Sequence, residues 1–311
     1  MTESRLDDAA RAAWLAYIGG LKQDEIARIM GISRQSAQRL VSQAMAAGLV
    51  KVRIDHPVAR CMDLAARIEA RFGLSLCRVV PSLQSPEASG LAVSHATGDL
   101  IEAHLSRGAP LVIGLGTGRT LRAAVEHMPH LDGGACKIVS LTGNISPDGS
   151  TAFFNVLFTI ADKVRAATYP MPLPVIAASA AERDALLNQK TLATTRALSL
   201  QTDVRFIGIG PMGDAAPLLV DGFITQQDLD RLRTKGAVGE IVGHVYDANG
   251  DFLDDEINTR VSSVEMPSDP PAHTIAAAHG PGKIAAIQGA LRGRRITGLI
   301  TDERTAEALL S

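Results

Sequence analysis

The sequence predicts an α/β protein with two domains, a small helical domain over residues 1–55 and a Rossmann-like domain with a parallel sheet over residues 56–311. Two observations support this division. Apolar residues have helical spacing in the first part, and from about Leu74 short apolar runs alternate with helical stretches. The 311 residues, of which 46% are hydrophobic, are sufficient for two domains and a large core.

Residues 20–50 have the pattern of two short helices joined by a tight turn. Gly31 at the corner can adopt a positive φ, and Ser33 can then cap the second helix through its side-chain oxygen. Polar side chains at the start of that helix can reach base edges or phosphates in a major groove, which predicts a helix-turn-helix that binds DNA. The predicted DNA-binding residues are Lys22, Ser33, Arg34, Gln35, Ser36, Gln38, Arg39, Lys51 and Arg53.

Two further elements are predicted beside this helix pair. Residues 6–18 have a helical pattern and include Trp14, the only tryptophan, which we expect in the core. After Gly48, a candidate helix end, residues 50–54 alternate apolar and basic side chains and could form a small wing that contacts phosphate. The alternative is a helical hairpin that only packs on a neighbour.

Positive charge is concentrated at the N-terminus of a chain whose net charge is −2. Residues 1–60 contain nine Lys and Arg against six Asp and Glu, a net +3, which leaves −5 for the rest. Because this excess is modest, one copy would bind DNA weakly, and we expect two or more copies on one operator. His56 and Pro57 end the first domain, and the amphipathic residues 62–72 are predicted to connect the domains or to associate subunits.

The cysteines and the N-terminus give no indication of a metal, a disulfide, export or a membrane. Cys61, Cys77 and Cys136 lack the close pairs of zinc sites and disulfide frameworks. The chain has neither the apolar run of a signal peptide nor a stretch near the roughly 18 apolar residues of a membrane span. We therefore expect a soluble, cytoplasmic protein without a metal or cofactor.

Six apolar runs predict buried parallel strands, most of them followed by a helix. Ligands of open parallel sheets bind beyond the carboxyl ends of the strands, so the loops after these runs form the candidate ligand site. The runs are residues 111–115, 137–141, 175–178, 204–209, 274–278 and 296–301.

Several segments combine glycines with polar side chains at or near strand ends. Residues 116–120 offer amides, hydroxyls and a guanidinium to an anion, although their spacing is not that of a dinucleotide fingerprint. Lys283 begins a helix, where the dipole disfavours a cation, so an anionic ligand would explain its position. Parallel βα units place the loops after their strands at the same edge of the sheet, so we expect residues 116–120 and Lys283 to meet at one site. The alternative is that each segment is a plain turn.

Residues 237–247 predict a hairpin with Asn249-Gly250 as its turn. The polar residues 254–260 follow, and their carboxylates and amides suit sugar hydroxyls, although a solvated loop is the alternative. The complete set of predicted ligand-binding residues is Gly116, Thr117, Gly118, Arg119, Thr120, Thr142, Gly143, Asn144, Gly210, Asp254, Asp255, Asn258, His279 and Lys283.

These motifs, in this order and spacing, resemble the SorC-type (SorC/DeoR) sugar-binding transcriptional regulators over nearly the whole chain. The matching blocks are residues 20–50, 114–121, 208–210, 236–250, 279–290 and 301–310. The resemblance implies an effector domain similar to glucosamine-6-phosphate deaminase and ribose-5-phosphate isomerase, no longer used as an enzyme, and assembly as a homo-oligomer, a dimer or tetramer. It also implies that residues 116–120 and Lys283 hold the anionic or most polar end of the effector, with Asp254 or Asp255 on its hydroxyls.

We therefore expect a repressor of carbohydrate or polyol genes that binds operator DNA and a sugar, polyol or sugar-phosphate effector. The alternative is a sugar-phosphate isomerase or deaminase with a DNA-binding arm, in which acidic residues near Asp254 would form an acid–base pair with His244 or His279. This chain has His279-Gly280 where family members often have Gly-Gly, and Thr117 where they often have an aromatic residue. The identity of its effector therefore cannot be inferred from any one relative.

Overall fold

The computed structural model describes residues 3–50, 58–151 and 155–311, with side chains from residue 6 onward. The chain divides into two compact units, Met1–His56 and Pro57–Ser311. Within the described ranges, every helix is too short or too polar to cross a bilayer. The three cysteines, all of them in the described part, are buried and form no disulfide.

The described part of the N-terminal unit contains three helices, α1 (Glu3–Tyr17), α2 (Gln23–Met30) and α3 (Arg34–Ala46). Gly31 ends α2 with φ 65°, in the left-handed region that favours glycine. The Ser33 hydroxyl accepts a hydrogen bond from the Ser36 backbone N–H at 3.1 Å and thereby caps α3. The predicted corner between two helices is thus confirmed. The predicted wing lies, beyond Val50, outside the described residues, and with it Lys51 and Arg53.

Trp14 does not belong to the core of this unit, and the sequence prediction was wrong. Its side chain is 68% exposed, whereas the buried positions of α1 are alanines: Ala9, Ala12 and Ala13. Ala9 and Ala13 lie in one buried cluster with Ala44 of α3, and such close helix contact accommodates small side chains. Trp14 is one position further around the helix and points to solvent.

The C-terminal unit is built on a parallel sheet of seven strands in the order β1-β10-β9-β5-β2-β3-β4. These strands are β1 (Leu76–Val80), β2 (Val112–Leu115), β3 (Leu131–Ser140), β4 (Val164–Tyr169), β5 (Val204–Gly208), β9 (His273–Ala277) and β10 (Gly298–Asp302). A small antiparallel sheet consists of β6 (Gly210–Pro211), β7 (Gly239–Ile241) and β8 (His244–Tyr246).

Helices cover both faces of the large sheet. They are α4 (Ala59–Phe72), α5 (Pro86–Leu105), α6 (Arg119–His127), α7 (Val156–Ala161), α8 (Ala180–Leu187), α9 (Ala193–Leu200), α10 (Pro217–Val220), α11 (Gln226–Thr234), α12 (Glu256–Arg260), α13 (Ile284–Arg292) and α14 (Glu303–Leu310), with 3-10 turns at Lys190–Leu192 and Pro281–Lys283. Adjacent strand residues belong to opposite cores: Ile207 contributes to a cluster with α4, α13 and α14, and Phe206 to one with α5, α6 and α7. The sheet is therefore buried on both faces, as its apolar strands predict.

Five of the six predicted strands are confirmed, and residues 175–178 are not a strand of the sheet. Val175 and Ile176 lie in a separate apolar cluster, Ile176 forms an isolated bridge with Val261, and Ala177 donates its backbone N–H to the Arg260 carbonyl at 2.9 Å. An apolar run of this length fits a buried connection as well as a strand. The edge strands β1 and β4 escaped prediction because their sequences are less uniformly apolar.

The predicted hairpin segment contains two turns, one that joins β7 to β8 and the predicted turn at Asn249-Gly250, across which Tyr246 forms an antiparallel bridge with Phe252. Val242 and Gly243 join the strands with φ values of 46° and 91°, the positive pair that a type I′ turn requires. Asn249 and Gly250 form a second turn, in which the Asp247 backbone N–H donates to the Asp251 carbonyl at 3.0 Å.

Candidate functional site

One cavity of about 890 Å³ lies where several loops follow neighbouring strands of the large sheet. β9, β5, β2 and β3 are adjacent, and all are parallel. Starting between β5 and β2, the strands β2, β3 and β4 follow one another towards one edge of the sheet, and β5, β9 and β10 follow one another towards the other edge. The cavity therefore lies at the topological switch point, beyond the carboxyl ends of the strands, where ligands of such sheets bind.

The structure brings eight of the predicted ligand-binding residues to this cavity. They come from the loops after four strands, and Lys283 meets residues 117–120 there, as the common edge of parallel βα units predicts. The eight are Thr117, Gly118, Arg119, Thr120, Thr142, Gly210, His279 and Lys283.

Gly116, Gly143 and Asn144 lie beside the cavity, in a small adjoining recess. A Cβ on Gly143 would stand 2.6 Å from the carbonyl oxygens of Leu173 and Pro174, so close backbone packing explains this glycine. The Asn144 backbone N–H donates to the same Leu173 carbonyl at 2.9 Å. These groups therefore shape the wall behind Thr142.

Lys283 and Glu240 provide opposite charges to the same cavity. Burial lowers the pKa of Lys283, while the Glu240 carboxylate acts to raise it. Burial raises the pKa of Glu240, against the hydrogen bond that its Oε2 accepts from the Gly243 backbone N–H at 2.8 Å. Sequence reasoning missed Glu240, although an acidic residue in an otherwise apolar strand was a usable signal.

Arg119 and Asp221 form a second pair of opposite charges at the cavity. The Arg119 Nη2 lies 3.2 Å from Asp221 Oδ1, and this bond joins the start of α6 to the end of α10. Asp221 was also missed, because it follows a short helix rather than a predicted strand. Ser146, Asp148 and Ser150 contribute further polar groups to the lining.

His279 contributes an imidazole to the cavity lining, close to α5. A Cβ on Gly90 would lie 2.6 Å from the His279 Nε2, so the glycine leaves room for this ring. Burial lowers the pKa of His279, and the Lys283 charge lowers it further. The surroundings of this ring therefore favour its neutral form.

Asp254, Asp255 and Asn258 do not reach the cavity, and protein groups bind them instead. Asp255 accepts hydrogen bonds from Arg231, pairs with Lys235 Nζ at 2.9 Å and caps α12. Burial acts to raise the pKa of Asp255, but the hydrogen bonds from Arg231 and Lys235 hold it at about 2.

The other two residues of this segment have equally local roles. The Asn258 amide accepts a hydrogen bond from the Val245 backbone N–H and donates to the Val245 and Leu253 carbonyls, each at 2.8 Å. The Asp254 carbonyl accepts a hydrogen bond from Lys235. We therefore leave Asp254, Asp255 and Asn258 out of the ligand site, since Asp255 and Asn258 hold α12 and β8 and Asp254 does not line the cavity.

Comparison with known proteins supports the same two-part organisation. The model of the sugar-binding domain family matches residues 56–311, and the MarR family model matches residues 12–60. The chain belongs to the SorC-type sugar-binding transcriptional regulators. It is 34% identical over 302 residues to the erythritol catabolism regulatory protein EryD of Brucella abortus, covering 97% of this chain and 96% of that one.

Two further comparisons concern the sorbitol operon regulator of Klebsiella pneumoniae. Its sequence is 28% identical to this chain over 311 residues, covering 96% of each. The crystal structure of the full-length protein, SorC, aligns with a TM-score of 0.72 at 26% identity, covering 99% of this chain and all of that one. This likeness extends over both units of the regulator.

The DNA-binding unit of this regulator presents most of its predicted contact residues to solvent. Lys22, Arg34, Gln35, Gln38 and Arg39 are exposed, and the Arg34 Nε lies 3.5 Å from Asp24 Oδ1. By contrast, the Ser33 hydroxyl caps α3 and also donates to the Ser36 hydroxyl at 2.9 Å. The two serines therefore stabilise the helix that carries the exposed side chains.

Proposed function

We propose that this regulator is a repressor of carbohydrate or polyol genes whose operator affinity depends on a sugar, polyol or sugar phosphate in the cavity. One observation carries the proposal: loops distant in sequence converge on a single cavity lined by charged and hydroxyl side chains. The names of two relatives, which refer to erythritol catabolism and a sorbitol operon, agree with a polyhydroxylated ligand.

The proposed effector site combines the predicted residues with two that the geometry adds. Backbone N–H groups at the start of α6 and the Lys283 ammonium would donate hydrogen bonds to the effector. The Glu240 and Asp221 carboxylates would accept them from hydroxyl groups. The complete proposed set is Thr117, Gly118, Arg119, Thr120, Thr142, Gly210, Asp221, Glu240, His279 and Lys283.

On the DNA side, we propose that Arg34 and Gln38 bind base edges, while Arg39 and Lys22, with Lys51 and Arg53, contact phosphates. The modest positive charge of one unit favours binding as a homo-oligomer, a dimer or tetramer, in the cytoplasm.

We further infer that the regulator binds its effector without turning it over. Of the residues expected to form the acid–base pair of the enzyme alternative, His279 lines the cavity, whereas Asp254, Asp255 and His244 do not. Incubation of purified protein with candidate sugars and sugar phosphates, followed by product analysis, tests this inference.

Lys283→Ala provides the test of the effector site. We expect about tenfold weaker effector binding, since a charge-assisted hydrogen bond is lost, and unchanged operator binding without effector. Lys190→Ala, at an exposed lysine outside the cavity, is the control. A normal effector response of Lys283→Ala would contradict the assignment of this cavity.

Arg34→Ala and Gln38→Ala test the DNA-binding face. Each should weaken operator binding by about 1–3 kcal/mol and relax preference for the operator over unrelated DNA, while the effector-induced thermal shift remains. Competition binding with operator and scrambled duplexes at fixed salt measures both quantities. If operator preference survives both substitutions, α3 is not the recognition helix.

A further inference from the structure

We infer that the effector is an uncharged polyhydroxylated compound, a free sugar or polyol, rather than its phosphate ester. This inference rests on the proposed function of the cavity and specifies the class of ligand. The observation behind it is the set of charges that line the cavity and the way in which they are paired.

Each cation of the lining has a carboxylate of the protein as its neighbour. Arg119 lies 3.2 Å from Asp221, and the charges of Lys283 and Glu240 act on each other within the cavity. Burial raises the pKa of Glu240 and lowers that of Lys283, but a proton moved from one to the other leaves their sum at zero.

The charges of the described lining residues therefore do not favour an anion. Two basic residues, Arg119 and Lys283, share the lining with three acidic residues, Asp148, Asp221 and Glu240, so the formal charge of these side chains is −1. A site for a phosphate ester, whose charge at pH 7 lies between about −1.5 and −2, would require an excess of cations.

A phosphate placed on Arg119 would also approach Asp221, and one placed on Lys283 would be repelled by the Glu240 carboxylate, whose charge acts on that lysine. The backbone N–H groups at the start of α6 would attract the phosphate, but their dipole acts more weakly than a full negative charge at a similar distance. Asp221 is bonded to the guanidinium of Arg119, the first residue of α6, and would repel an anion bound to that side chain.

Uncharged hydroxyl groups, by contrast, find both donors and acceptors. Glu240 and Asp221 can accept hydrogen bonds, Lys283 can donate them, and the Ser146 hydroxyl can do either. The Ser150 hydroxyl donates to Asp148 Oδ1 at 2.6 Å and can accept a further hydrogen bond. A polyol alternates such groups along its carbon chain, so it can use the paired charges without separating them.

Matched ligand pairs test the inference on the full-length protein. Erythritol, sorbitol, ribose and glucose would each be compared with the terminal phosphate ester of the same compound by thermal shift and titration calorimetry at pH 7.5. We expect at least one uncharged compound to bind, and to bind at least about tenfold more tightly than its phosphate. Tighter binding of the phosphates would overturn this inference and leave the proposed effector cavity standing. Binding of none of the compounds would reject both.

Asp221→Asn tests the electrostatic reason directly. Removing this carboxylate should shift the affinity ratio towards the phosphate by about tenfold, because one negative charge that repels the anion is lost from the cavity lining. Asp214→Asn is the matched control, since Asp214 pairs with Arg233 in the same region but does not line the cavity. An unchanged ratio in Asp221→Asn would contradict exclusion of phosphate by this carboxylate.

Discussion

The effector cavity and the segment of residues 254–260 use the same kinds of side chain for opposite purposes. Both combine carboxylates with basic residues, and both contain residues that the sequence predicts to bind the ligand. In the segment, Arg231 and Lys235 of the region around α11 bind Asp255, whose side chain is buried. In the cavity, the charged groups of Glu240 and Lys283 face a volume large enough for a ligand.

The difference shows that residue type does not separate a binding site from a structural network. What separates them is whether the protein itself satisfies the polar groups, because a buried carboxylate without partners is strongly destabilising. Asp255 has its partners in place, whereas the cavity leaves hydrogen-bonding capacity for a ligand. The contrast predicts its largest effect at Asp255.

Asp255→Ala should destabilise the protein by about 3 kcal/mol, since it removes a buried ion pair and the cap of α12 together. Urea denaturation monitored by circular dichroism measures the loss. Effector affinity, measured at a temperature where the variant is folded, should stay unchanged.

The control for this prediction lies one residue away. Glu256 is exposed and its carboxylate lies 3.3 Å from Arg231, so Glu256→Ala should change stability by less than about 0.5 kcal/mol. If Asp255→Ala instead abolished effector binding in a stably folded protein, the segment would have to be returned to the site.

The second prediction concerns His244, a polar group that is buried like Asp255 but has no partner for its Nε2. Burial, with smaller contributions from the Arg183 and Arg295 charges, lowers its pKa from 6.5 to about 4. The unfolded chain therefore takes up a proton below about pH 6.5 that the folded protein excludes until about pH 4. Stability should fall across this window by about 1.4 kcal/mol per pH unit.

Denaturation curves at several pH values between 7 and 4.5 measure this slope. His244→Gln should reduce the slope by the contribution of one histidine, whatever its effect on stability at pH 7. His130→Gln, at an exposed histidine, serves as the control. An identical slope in wild type and His244→Gln would show that His244 is protonated in the folded protein.

The smallest effect is expected at Thr142, which both lines the cavity and takes part in a hydrogen bond within the protein. Its hydroxyl lines the cavity and accepts a hydrogen bond from the Ser263 hydroxyl at 2.8 Å. Thr142→Val should lose about 1 kcal/mol of stability and about threefold in effector affinity. Ser263→Ala removes the same bond from outside the cavity, so it should lower stability by a similar amount without affecting affinity. Equal losses of affinity in both variants would mean that Thr142 acts only by holding the loop.

Predictions from local sequence succeeded where neighbouring residues provide the structural signal. Gly31 and Ser33 specify the turn and the helix cap of the DNA-binding unit within a few residues. The predicted burial of Trp14 was wrong because burial depends on which face of α1 meets α3. A short amphipathic pattern rich in alanine does not define that face. The predicted strand at residues 175–178 was wrong for a related reason. An apolar run indicates burial but does not show which element it packs against.

The sequence by itself determined the alternation of strands and helices, the helix-turn-helix and the loops that could hold a ligand, because periodicity and turn chemistry act over short distances. Only the tertiary structure decided which polar residues face the cavity. It placed Glu240 opposite Lys283 and Asp221 beside Arg119, and it bound Asp255 to Arg231. The residues of these pairs are 24 to 102 positions apart in the sequence. Long-range packing therefore brings them together, and local conformational preference does not determine them.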